Sequence, residues 1–238
     1  DPSAHVLTLY ASHDDALPAL RAHTARHGNL HLDIRFTGSV DAIRALNEGR
    51  CVMAGFHTLQ HTRDKTPTAR TYKPLLQPGQ HKIIGFARRT QGLMVGRGNP
   101  LGLLRLRDVV ACRARFANRA LGSGTRVLLD ELLAEGGLSP GDIVGFEQTE
   151  PSHAAVAQAV AAGAFDAGLG IEAAAQSAGL DFVPLAEEHY HLVCLKSALE
   201  QPGVQALLRL LQTTRWQDDL AAIPGYGPLQ CGEVLSMR

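Results

Sequence analysis

Three short stretches place hydroxyl groups and glycine where an apolar run gives way to a helical period. They are "YASHDD", "FTGSVD" and, at residues 118–126, "NRALGSGTR". A helix N-terminus carries unpaired backbone N–H groups and a partial positive charge, so it can seat an anion. Glycine lets the backbone approach a ligand closely, and serine or threonine adds a donor. The candidate ligand-binding residues are therefore Ser12 and His13 at the first junction and Gly38 and Ser39 at the second. Arg119, Ser123, Gly124 and Thr125 form the third, and Tyr190 adds a hydroxyl from later in the chain. Each serine also has a plainer reading as a helix cap, and Ser12 with Asp15 reads as a capping box.

The charges around these turns bear on the kind of anion. Arg119 precedes its turn and could reach over it with charge-assisted bonds to an oxyanion. Arg126 is the alternative; it falls inside the following helix and is expected to point to solvent. The acids nearest the turns are Asp14, Asp15 and Asp41, which helical geometry is expected to carry away from the mouths. A site made only of donors suits a fully deprotonated tetrahedral dianion, because hydrogen phosphate brings a proton that wants an acceptor. The chemistry implied is capture of a sulfate-, molybdate- or tungstate-like ion, with no catalysis and no cofactor.

The elements that must position these groups alternate. "HVLTLY", "LHLDIRF" and "VMAGFH" read as strands, with "DDALPALRAHTARHG" and "SVDAIRALNEGR" as helices between and after the first two. "RFANR", "SGTRVLLDELLAEGG", "SHAAVAQAVAAG", "FDAGLG", "IEAAAQSAG" and "DFVPL" continue the pattern. Strands alternating with helices indicate an α/β fold with a parallel sheet, whose ligands bind beyond the carboxyl ends of the strands. Gly28, Gly49, Gly136 and Gly179 fit helix C′ positions, and Ser152 fits an N-cap. Residues 58–80 are polar and aperiodic, as in a long exposed connection. "HKIIGFARR" and "LAEEHYHLVCLK" read as two extended segments flanking an inserted α/β unit, which implies two lobes joined by two crossings. "GVQALLRLLQTTRWQDDLAAI" reads as an amphipathic helical run with Trp216 in the core.

Composition excludes several classes. The 238 residues carry 23 basic and 23 acidic side chains, without the basic excess of a non-specific nucleic-acid surface. No apolar run reaches the roughly 18 residues of a membrane span, so no membrane insertion is expected. The start, "DPSAHVLTLY", lacks the marks of a signal peptide. Cys51, Cys112, Cys194 and Cys231 show no C-x-x-C spacing, and three of them read as core residues. Both points favour a cytoplasmic setting, with a periplasmic one as the alternative.

Other motifs carry less. "GLGIEA" matches a loose dinucleotide fingerprint, but the strand before it is short; Gly168 and Gly170 read instead as letting a turn approach the cleft. "NRALGSGTR" is not a hydrolase elbow, since Leu121 stands where glycine is required, and it is no Walker A loop. His57 with His61, and His189 with His191, read as surface or hinge histidines and not as metal ligands. His13 and His57 lie at strand ends, where they could line a cleft.

The order "ASHDDAL", "FTGSVDAIRALNEGR", "MAGFH", "NRALGSGTR", "FDAGLGIEAAA" and "DFVPLAEEHYHLV" resembles the PBP-like domain related to periplasmic binding proteins. That domain occurs attached to helix-turn-helix segments in bacterial regulators and to molybdenum-cofactor biosynthesis proteins. It is similar to solute-binding proteins for tungstate and molybdate, and more distantly to effector domains of LysR-type regulators. The resemblance implies a two-lobed type II fold, with lobes at 1–86 plus 189–238 and at 87–188. It further implies molybdate or tungstate bound between the lobes by Ser12, Ser39, Arg119, Ser123 and Thr125. The role implied is ligand sensing for a transcriptional regulator, touching DNA only through a separate or removed helix-turn-helix segment, with homodimerisation left open. The alternatives are the solute-binding component of an oxyanion transporter, or an enzyme using a bound phosphate or cofactor in the same cleft.

Overall fold

The computed structural model describes residues 5–59, 72–121 and 123–236. In chain order its strands are β1 (His5–Ala11), β2 (Leu30–Phe36), β3 (Met53–Leu59), β4 (His81–Val95), β5 (Phe116–Arg119), β6 (Thr149–Glu150), β7 (Ala167–Ile171), β8 (Asp181–Leu195), β9 (Tyr226–Pro228) and β10 (Val234–Leu235). The α-helices are α1 (Ala16–His27), α2 (Ser39–Asn47), α3 (Leu106–Ala111), α4 (Gly124–Glu135), α5 (His153–Ala161), α6 (Glu172–Ser177), α7 (Pro202–Leu211) and α8 (Thr214–Ala221). The chain divides into two compact units, Asp1–Arg88 with Glu188–Arg238, and Arg89–Glu187. It passes between them inside β4 and inside β8.

In the first unit β1 lies between β2 and β3 and runs parallel to both. β3 then pairs antiparallel with β8. The period of two along β8 divides its side chains between two cores. Tyr190, Leu192 and Cys194 join Leu7, Leu9, Leu17, Leu20 and the α7–α8 residues on one face, while Val193 joins Ile43, Leu46 and Phe56 on the other. Trp216 is fully buried in the first of these cores, stacked on Phe86, as the sequence suggests. The helical run that carries it is nevertheless two helices. Thr213 breaks the run, its hydroxyl donating to the Leu210 carbonyl at 2.6 Å and accepting from Trp216 N at 3.3 Å as the cap of α8.

In the second unit β7 pairs antiparallel with β4 and parallel with β5, and β5 pairs parallel with β6. Met94, Ala117, Val156, Ala157 and Ala175 form a core cluster. Gly168 and Gly170 lie in the interior of β7, not at a turn, so the expectation that their backbone helps line a cleft gives way to packing. A Cβ on Gly168 would collide with Val156 of α5, and one on Gly170 would lie 2.5 Å from Met94 Cε.

Several boundaries move. "DFVPL" and the later extended segment are one continuous strand, β8. Gly49 and Gly179 take the left-handed conformation at their helix ends. Gly28 and Gly136 sit one position earlier, and the next residues, Asn29 and Gly137, take positive φ instead. Most of the connection expected at 58–80 lies outside the described residues; Thr58 and Leu59 complete β3, and Tyr72, Leu75 and Leu76 pack on the core. Cys51, Cys194 and Cys231 are buried, Cys112 is exposed, and all four thiols are free. Burial pushes the Cys194 thiol up to about 11 and the Cys231 thiol up to about 12, which keeps both protonated and inert.

Gly55 is the glycine on which the first unit most depends, because a Cβ there would strike the Tyr190 ring. Gly55→Ala is expected to destabilise the protein by about 1–3 kcal/mol in urea unfolding, the usual cost of overpacking.

Candidate functional site

At the carboxyl ends of the first unit's parallel strands, Ala11 stands beside Phe36 on β2 and Gly55 on β3. The chain leaves β1 through Ser12, whose backbone is held on both sides. Its N–H donates to the Gly55 carbonyl at 3.2 Å, and its carbonyl accepts from Tyr190 Oη at 3.0 Å. Ser12 is not the cap of α1. The N-cap position is Asp15, whose side chain makes no cap bond; Asp14 instead accepts the Ala16 amide on Oδ1 at 2.9 Å, and is 1% exposed. Its Oδ2 lies 2.9 Å from His57 Nε2, and His57 Nδ1 lies 3.2 Å from Ser12 Oγ. Serine, histidine and aspartate thus form one hydrogen-bonded chain. The His57 ring stands edge-on to Tyr190 at 4.3 Å.

This arrangement corrects three expectations. Asp14 is not carried away from the helix mouth; it is buried there. Asp41 also stays close, with Oδ2 3.8 Å from the position of a Cβ on Gly38, the N-cap of α2. Tyr190, expected to offer its hydroxyl to a ligand, is fully buried and donates to the Ser12 carbonyl. The mouths of α1 and α2 therefore include acceptors, and the premise of a donor-only site does not hold in this unit. Ser39 is the first residue of α2, next to the Gly38 cap, and is buried; His13 is exposed, its ring 4.9 Å from that of Phe36.

The second unit carries the arginine junction. Ser123 caps α4, its Oγ accepting from the Arg126 amide at 3.1 Å, while the hydroxyl hydrogen keeps its donor capacity. Gly124 and Thr125 are the first residues of α4, whose leading N–H groups have no intrahelical partner, and Thr125 is buried. Arg126 does not point to solvent. It folds back over the junction, donating from Nη1 to the Arg119 carbonyl at 3.1 Å and lying 4.2 Å over the Phe146 ring.

Arg119, at the end of β5, is less satisfied. Its Nε is buried with no hydrogen-bond partner, and Nη2 makes only a long 3.5 Å contact to the Pro151 carbonyl. Burial, then repulsion from Arg89, holds the Arg119 guanidinium below its ordinary pKa. Arg89 lies on β4 and is 3% exposed. Arg89 thus bears on Arg119 as a second cation in a desolvated setting. Sequence reasoning missed Arg89, although a charged pair, Arg88–Arg89, between the apolar runs of an extended segment was a usable signal. Asp14 and His57 as partners of Ser12 had none, because 43 positions separate them.

Among the described residues no group of three His, Cys, Asp or Glu side chains is arranged to hold a metal ion, and no helix is long and apolar enough to cross a membrane.

Comparison with known proteins agrees with this architecture. The profile of the PBP superfamily domain matches residues 20–212, and the chain belongs to that superfamily. It is 31% identical over 201 residues to the uncharacterized protein YvgK of Bacillus subtilis, covering 84% of this chain and 64% of that protein's length. The tungstate binding protein TupA from Desulfovibrio alaskensis G20 superposes with a TM-score of 0.69 at 14% identity, over 95% of this chain and 99% of that one. A putative phosphate transporter substrate-binding protein with bound phosphate, from Clostridium perfringens, gives 0.68 at 12% identity, over 94% and 99%. The effector binding domain of QuiR in complex with shikimate gives 0.62 at 15% identity, over 86% and 94%. These likenesses establish an α/β fold of the periplasmic-binding-protein-like class.

His191, beside this site on β8, gives a pH prediction. Burial, then repulsion from His189 and His57, pushes it down to about 4. An unfolded histidine takes up its proton near its ordinary value of about 6.5. Stability should therefore fall as pH drops from about 6.5 toward 4, by at most about 1.4 kcal/mol per pH unit, less because the side chain is partly exposed. Urea midpoints across that range should fall more gently for His191→Leu than for the parent.

Proposed function

We propose that this chain is a non-enzymatic binding domain for a tetrahedral oxyanion, with molybdate or tungstate as its ligand. The observation that carries the reading is the buried, unpartnered Nε of Arg119 beside a second guanidinium, Arg89. Charge-assisted bonds from such groups to an oxyanion are among the stronger polar contacts a protein makes. In this reading the leading N–H groups of α2 and of α4 and the hydroxyls of Ser12, Ser39, Ser123 and Thr125 are the candidate donors, each within its own unit. It requires no cofactor.

Placement as the sensing domain of a transcriptional regulator is supported by the likeness to the QuiR effector domain. DNA would then be touched by a separate helix-turn-helix segment, and the domain would work in the cytoplasm. The likeness to tungstate and phosphate binding proteins favours the second reading, the solute-binding component of a transporter. Either way, the ligand shifts a conformational equilibrium only by its different affinity for the two states.

Titration calorimetry with molybdate, tungstate, sulfate and phosphate tests the reading. Micromolar or tighter binding of molybdate or tungstate is expected, weakened about 10- to 100-fold in Arg119→Ala. Ser39→Ala should cost about fivefold, as for one neutral hydrogen bond. No heat from any of the four anions would mean that the serines are only structural. A hydrolase built on Ser12, His57 and Asp14 would turn over p-nitrophenyl acetate in a His57-dependent way; none above the His57→Gln variant is expected.

A further inference from the structure

The Ser12–His57–Asp14 chain is more than capping requires, and its hydrogen positions have a consequence for the ligand. Asp14 accepts the Ala16 amide on Oδ1 and meets His57 Nε2 through Oδ2; in the switch proposed below Asp14 is the carboxylate and Nε2 carries the hydrogen. The variable position is then Nδ1, 3.2 Å from Ser12 Oγ. With Nδ1 bare, Ser12 gives it the single hydroxyl hydrogen and presents lone pairs to the helix mouth. With Nδ1 protonated, the imidazolium donates to Oγ, and the hydroxyl hydrogen turns to the ligand together with a nearby positive charge. A fully deprotonated tetrahedral anion has only acceptors, so it fits the second state. Hydrogen phosphate can donate its own hydrogen to Ser12 and fits the first.

We propose that Ser12, His57 and Asp14 form a proton-coupled switch, in which capture of a fully deprotonated tetrahedral dianion at the mouth of α1 draws a proton onto His57. The inference rests on the oxyanion reading above and makes His57 its specificity-determining residue. Asp14 keeps Nε2 protonated and orients the ring, and Tyr190 confines it from β8. Of the other titratable groups near this place, Glu188 shares the Tyr190 face of β8, His189 and His191 lie on its opposite face, and the exposed His13 is next to Asp14 in the chain. His191, pushed down to about 4, stays neutral through the neutral range. By linkage, an anion that raises the proton affinity of His57 must bind more tightly as pH falls.

The test is calorimetric titration of the chain with sodium molybdate between about pH 6 and 8.5, in two buffers of contrasting ionisation enthalpy. At the alkaline end, close to one proton should be taken up per molybdate bound, with Kd rising toward tenfold per pH unit. His57→Gln should bind more weakly, with a flat pH profile and no buffer dependence. If that variant fails to fold by circular dichroism, Ser12→Ala should lose the uptake in the same way. Wild-type binding without proton uptake overturns the switch and leaves oxyanion binding standing. Uptake that survives both variants also overturns it, as does binding of phosphate with no molybdate bound at any pH. Absence of binding by every anion overturns the oxyanion reading as well.

Discussion

The hydrogen bond from Tyr190 Oη to the Ser12 carbonyl is the constraint on which the first unit's chemistry depends. It joins residues 178 positions apart and fixes where the chain leaves β1. It forms only because β3 lies between β1 and β8 and presents Gly55, with no Cβ, under the Tyr190 ring. His57, two residues further along β3, then comes to the same side of the strand and opposite Tyr190 in the register. A buried tyrosine thus serves as a strut that holds Ser12 against an imidazole. Ser12 is consequently a residue whose donor or acceptor character is set by a neighbour.

The two units treat charge differently. In the first, Asp14 is buried with an amide and an imidazole as partners, and Asp41 lies close to the Gly38 cap. In the second, Arg119 and Arg89 repel one another, and part of the guanidinium hydrogen-bonding capacity of Arg119 is unused. Leaving part of a buried guanidinium's donor capacity unused is costly. The second unit thus holds a cation with unused donor capacity, and the first a hydrogen-bonded serine, histidine and aspartate.

Fold and ligand are separable in this class. Structures of the same architecture carry names that refer to tungstate, phosphate and shikimate, at 12–15% identity to this chain. A shared sheet order places helix mouths at strand ends, which explains why anions recur. The side chains near those mouths differ from protein to protein, and here they include a histidine with a carboxylate beside it.

Much of this was legible in the sequence, because local rules govern it. The βα alternation, the capping serines Ser123 and Ser152, the left-handed glycines Gly49 and Gly179, and the burial of Trp216 follow from period, cap chemistry and glycine's freedom at positive φ. The arginine junction was visible as a motif. What only the tertiary structure decided is pairing across distance. Capping logic assigned Ser12 to Asp15, yet the folded chain gives it His57, because the β1–β3 pairing brings Gly55 beside Ala11. Arg126 was assigned to solvent by helical position, yet Phe146 offered its ring face. Spacing along a chain reports neighbours within a turn or along a strand; strand order determines which distant residues meet, and here it brought His57 between Ser12 and Asp14.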